Sequence, residues 1–104
     1  MIGHSTLMNY VGGRWEAPSA SQTIPVRNPA TGEVLAEAPL STAADVQTAV
    51  QAALHAWPAW RRTTPGDRIQ PLFRLKALLD SQFPEIARVI TQECGKTLTE
   101  SEGE

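Results

Sequence analysis

Apolar and polar positions alternate with a period of two in the first part of the chain and follow a helical period after it. Tyr10–Trp15 reads as a short hairpin, with Gly12-Gly13 as the two-residue turn. Residues 17–22 form a loop by composition. In Thr23–Arg27, Ile24 and Val26 share a face, the signature of a half-buried strand. Pro25 has no amide N–H, so this strand lies at an edge or turns that position away from its partner. A tight turn follows, in which Pro29 presets φ and Gly32 takes the positive φ. Glu33–Ala38 returns as the second strand, and Pro39-Leu40-Ser41 leads out. Met1–Met8 reads as a frayed leader.

The helical part opens at Thr42, with Asp45 at capping-box spacing. Val46, Ala49, Val50, Ala53, Trp57 and Trp60 make a helical stripe, and Pro58 predicts an end or kink near Trp57. Thr64-Pro65-Gly66-Asp67 combines a Thr cap, a first-turn proline and a first-turn acid, which starts a second helix. Its expected buried face is Ile69, Leu72, Phe73, the stem of Lys76, Leu79 and Phe83. Pro71 removes one backbone bond from that helix, at a cost of roughly 3 kcal/mol for an interior position. A third helix is expected from Pro84-Glu85, burying Ile86, Val89 and Ile90 and stopping at Gly95. Thr97–Glu104 starts a fourth that the chain does not complete.

Composition narrows the class. At 104 residues, 41% hydrophobic and 19% charged, the chain suits one globular unit and leaves no room for two domains. A net charge of −2 gives no electrostatic case for nucleic acid. No basic start followed by an apolar run marks a secretory signal, and no window approaches the roughly 20 apolar residues of a membrane span. A single cysteine excludes an internal disulfide framework and suits a reducing compartment, with the cytoplasm as default.

Several short motifs carry a family resemblance. The turn Asn28-Pro29-Ala30-Thr31-Gly32-Glu33-Val34 resembles the amino-terminal hairpin of the NAD(P)-dependent aldehyde dehydrogenase superfamily. Tyr10-Val11-Gly12-Gly13-Arg14-Trp15 resembles that family's opening hairpin, and Ala56-Trp57-Pro58-Ala59-Trp60-Arg61 the end of its first long helix. Glu93-Cys94-Gly95-Lys96-Thr97-Leu98 is similar to its helix-ending glycine-lysine-threonine. The acidic-glycine run Thr99-Glu100-Ser101-Glu102-Gly103-Glu104 leans toward the methylmalonate-semialdehyde dehydrogenase branch. The resemblance spans about Asn9 to Glu104, and Pro71 departs from it, since the family usually has a helix former there.

The residues that suggest chemistry carry little of it. Cys94 is the only thiol, but it stands at a helix C-terminus, where the dipole disfavours a thiolate. The resemblance also places the family's catalytic cysteine well downstream. His4 and His55 have no second ligand at metal or triad spacing. Gly95-Lys96-Thr97 echoes a phosphate-binding loop, but the required upstream glycine is Ile90. Arg61-Arg62 reads as the cationic end of the first helix. Trp57 and Trp60 form either a sticky surface or, as the family implies, a packed corner. Glu93 is the one metal candidate. In some family members an acid here, with carbonyls at the positions of Val26 and Arg27, holds a structural monovalent cation.

The expected architecture is an α+β fragment with two amino-terminal β-hairpins, three helices and a truncated fourth, part of the larger aldehyde dehydrogenase α/β fold. Residues 1–104 make one amino-terminal segment, with a leader over 1–8, hairpins over 9–40 and helices over 41–104. The resemblance implies a parent enzyme that oxidises an aldehyde or semialdehyde with NAD, and in the branch named above uses coenzyme A as co-substrate. It also implies that the catalytic and cofactor regions lie after Glu104, so that this segment has no catalytic or cofactor-binding residues and is inactive alone. The alternative is a non-catalytic interaction module that docks on other family subunits or on a separately encoded remainder. Self-association is a further expectation, because the helical stripes lack partners within the chain.

Overall fold

The computed structural model describes residues 5–104; His4 lies outside them. Its elements run β1 (Asn9–Val11), β2 (Arg14–Glu16), β3 (Thr23–Arg27), β4 (Val34–Pro39), α1 (Ala43–Trp60), α2 (Pro65–Cys94) and α3 (Leu98–Glu102). Two compact units result, one holding the four strands and α1, the other the turn Asn28–Glu33 with α2 and α3.

In the first unit both hairpins form as their turn chemistry dictates. Gly12 and Gly13 both take positive φ, +61° and +84°, the requirement of the tightest hairpin loop. This brings Tyr10 opposite Trp15, with ring centroids 5.0 Å apart in an edge-on contact. β3 and β4 pair antiparallel with Pro25 opposite Glu37, and a register shift falls between Val26 and Arg27. Residues 5–7 are not frayed. Leu7 N–H donates to the Glu37 carbonyl at 2.8 Å, and Glu37 N–H donates to that of Ser5 at 3.2 Å. The segment gains these bonds because β4 offers unpaired backbone groups along its free edge.

The start of α1 is tied twice. Thr42 and Asp45 form the expected capping box. Asp45 also reaches back to the loop before β3, accepting bonds from both the backbone N–H and the hydroxyl of Ser19 at 2.9 Å. The Ser19 and Thr42 backbone bonds, led by that of Ser19, hold the carboxyl at about 2, below its ordinary 3.8. A depressed folded-state pKa stabilises the tie above pH 3.8, and that stabilisation is lost as pH falls through about 2. Amide exchange at Ser19, taken relative to that of an unstructured amide at the same pH, is therefore expected to quicken between those values. Asp45→Asn is expected to quicken it already at neutral pH, because Asn accepts with one oxygen only.

Helix count differs from expectation. The second and third predicted helices are one 30-residue helix, α2, running through both Pro71 and Pro84. Pro84 mimics a helix start, but Leu79, Phe83, Ile86 and Ile90 keep one helical phase across it. Each internal proline removes one ladder bond, while the neighbouring turns keep theirs. α1 likewise continues to Trp60, because Pro58 falls so near its end that few bonds beyond it are at stake.

Burial is sparse. Ala87, at 2% exposure, is the buried hydrophobic residue among those described, and Ser101 at 3% the buried polar one. The predicted α1 stripe is exposed, as is the face from Ile69 to Phe83. In the later stretch Ile86 and Ile90 are half-buried, while Val89 is exposed. The accessible surface is 8200 Å². A compact monomer of 11.3 kDa exposes about 5700 Å² by the usual scaling, so about 2500 Å² is in excess.

Candidate functional site

The turn at 28–33 and the end of α2 meet in the second unit, and most of the motif residues singled out from sequence gather there. The turn is closed by its own polar groups. Asn28 N–H donates to the Glu33 carbonyl at 2.9 Å, and Gly32 N–H donates to the Asn28 carbonyl at 2.7 Å. The Asn28 side-chain oxygen accepts from Ala30 N–H at 2.9 Å, an Asx turn that fixes Pro29 at the tip.

Gly95 ends α2 in the left-handed conformation at φ +73°. A Cβ placed on Gly95 would lie 2.9 Å from Cγ of Pro29, so only glycine lets the turn approach the helix end this closely. Thr97 then caps α3: its hydroxyl accepts from Glu100 N–H at 3.3 Å, and Glu100 accepts from Thr97 N–H at 2.9 Å. The bond from Thr97 N–H and then one donated by the Thr97 hydroxyl, also at 2.9 Å, hold the Glu100 carboxyl below its ordinary value. Lys96 pairs with Glu104, whose hydrogen bond holds the ammonium above its ordinary value. Between the helices, the Thr91 and Ser101 hydroxyls meet at 2.9 Å, which satisfies the buried Ser101. The glycine-lysine-threonine motif is thus a helix stop, an ion pair and a helix start in succession.

Cys94 is a free, exposed thiol in the last turn of α2, and Glu93 is exposed beside it. Val26 and Arg27 belong to β3, in the first unit. Among the described residues no group of three His, Cys, Asp or Glu side chains could hold a metal ion. His55 lies on α1, where it borders an open groove of about 520 Å³ between the β1–β2 hairpin and the alanine face of that helix. Trp57 and Trp60 are exposed. Arg61 is the C-cap of α1, donating its N–H to the Trp57 carbonyl at 2.8 Å. No helix of the described residues is long and apolar enough to cross a membrane. The Asp45–Ser19 and Thr91–Ser101 ties escaped sequence reading. Ser19 and Asp45 are 26 positions apart, and no local pattern joins them.

The fold is that of a known class. The aldehyde dehydrogenase family model matches residues 15–104, and the chain belongs to that family. It is 47% identical over 98 residues to the malonate-semialdehyde dehydrogenase of Bacillus pumilus, covering 94% of this chain and 20% of that protein. Among solved structures, the methylmalonate-semialdehyde dehydrogenase of Oceanimonas doudoroffii superposes with a TM-score of 0.90 at 35% identity, covering 95% of this chain and 20% of the other. A variant of aldehyde dehydrogenase C from Pseudomonas syringae, complexed with NAD+ and octanal, gives 0.90 at 36%, covering 94% and 20%. The chain spans about a fifth of the length of the curated relatives it matches.

Proposed function

We propose that this chain is the amino-terminal scaffold portion of an NAD-dependent semialdehyde dehydrogenase that acts on malonate- or methylmalonate-type semialdehydes. The observation that carries this reading is the 47% identity to a malonate-semialdehyde dehydrogenase over 98 residues. The whole protein takes NAD as hydride acceptor and coenzyme A as co-substrate, in the cytoplasm, without nucleic acid or membrane partners. This portion binds neither cofactor and is inactive alone. Its contribution is architectural: three capped helices, a closed hairpin turn and a glycine corner. The motif residues support that role, since Thr42, Thr64, Thr97, Asp45, Asp67 and Glu100 are all engaged in helix caps.

Calorimetric titration of the purified chain with NAD is expected to show no saturable heat at micromolar concentrations. No NADH is expected to form when malonate semialdehyde and coenzyme A are added. The physical ground is that a dinucleotide site needs backbone N–H groups converging on a pyrophosphate at a glycine-rich strand-to-helix turn. The α1 and α2 N-termini are instead closed by Thr42 with Asp45 and Thr64 with Asp67. Saturable NAD binding would overturn the scaffold reading.

A further inference from the structure

Large apolar side chains are exposed on every element except β4: Tyr10 and Trp15 on the first hairpin, Ile24 on β3, Val46 on α1, Phe73 on α2 and Leu98 at the start of α3. The excess accessible area of about 2500 Å² is some three times the roughly 800 Å² that one partner contributes to a standard interface. A small ligand or a short peptide covers far less. A second copy of this chain, meeting it across one self-complementary patch, covers one region and leaves the other elements bare.

The backbone itself indicates the occupant. It superposes at a TM-score of 0.90 on solved chains in which it accounts for 20% of the length. The conformation is therefore one that the relatives adopt alongside four further fifths of polypeptide. Within the second unit, an open apolar groove of about 280 Å³ runs along Leu79, Phe83, Ile86, Ala87 and Ile90 of α2, and Glu104 stands at its rim.

Resting on the scaffold reading above, we propose that these faces bind the remaining four fifths of an aldehyde dehydrogenase polypeptide as a complement, and that no covalent link to it is needed. The α2 groove is the central contact. Its side chains are preset by a helix held at its N-terminus by Thr64 and at its C-terminus by Gly95 and by α3, so binding orders few of them anew.

The test is co-expression of the tagged chain with Bacillus pumilus malonate-semialdehyde dehydrogenase lacking the fifth that matches it. The expected result is a stoichiometric complex on affinity capture and in sedimentation, with α2 amides protected from exchange. Leu79→Asp combined with Ile86→Asp is expected to reduce capture at least about tenfold, whereas Arg74→Gln on the opposite side of α2 leaves it within about twofold. Recovery of the tagged chain without the complement, as a monomer or as a self-oligomer, overturns the proposal. So does capture that the Asp pair leaves unchanged. Because the readout is association, NAD binding by the isolated chain would remove the scaffold reading without deciding this result.

Discussion

Purified alone in reducing buffer, the chain is expected to melt without a sharp cooperative transition and to sediment as self-associated species. The reason is the near absence of a core. Among the described residues Ala87 alone is a buried hydrophobic, whereas Leu72, Phe73 and Leu78 are more than half exposed at 56%, 61% and 57%. Burying a large apolar side chain contributes about 1.5–3 kcal/mol, and a domain's whole margin is only about 5–15 kcal/mol. Leaving several such side chains in water therefore removes a contribution as large as the margin. Exposed apolar faces and the open edges of two-stranded sheets also favour association between copies. Sedimentation together with thermal melting checks the expectation. A compact monomer with a steep melt would show that the two units are self-sufficient.

Gly95→Ala is expected to unlock the corner between α2 and α3, with amides of α3 exchanging at least about tenfold faster. Two effects add. A non-glycine residue in the left-handed conformation costs about 1–2 kcal/mol, and Gly95 sits there at φ +73°. The new methyl group also meets Pro29 Cγ at 2.9 Å, so the turn at 28–33 must shift. The informative amide is Ser101 N–H, which donates to the Thr97 carbonyl at 3.0 Å inside the unit that Gly95 hinges. Low-temperature hydrogen exchange on the chain reads both effects. In a Pro29→Ala background the contact is relieved and the backbone strain persists, so the double variant is expected to recover only part of the protection. Exchange that does not change in Gly95→Ala would mean that the corner does not depend on its glycine.

Local chemistry was legible along the chain wherever a few neighbouring residues decide the outcome. The Gly12-Gly13 and Pro29–Gly32 turns, the capping residues Thr42 and Thr64, the helix start at Thr97 and the stop at Gly95 all stand where the sequence places them. Each depends on φ preferences or on a hydrogen bond spanning three or four positions, and such terms act within a short peptide. The family resemblance rested on these same words and was legible for the same reason. Pro84 was misleading because a local start signal competes with a ladder extending over 30 residues, and the unbroken phase of Leu79, Phe83, Ile86 and Ile90 favours one helix.

Tertiary structure alone decided which distant residues meet. It attached Ser19 to Asp45, set Pro29 against Gly95, and laid residues 5–7 along β4. Those pairs are far apart in sequence, so their geometry depends on where whole elements come to rest. It also decided burial. An apolar stripe states only that a helix has a face to cover, and the face is buried when another surface lies against it. For Val46, Leu72 and Phe73 no such surface lies among the described residues, and all three remain exposed.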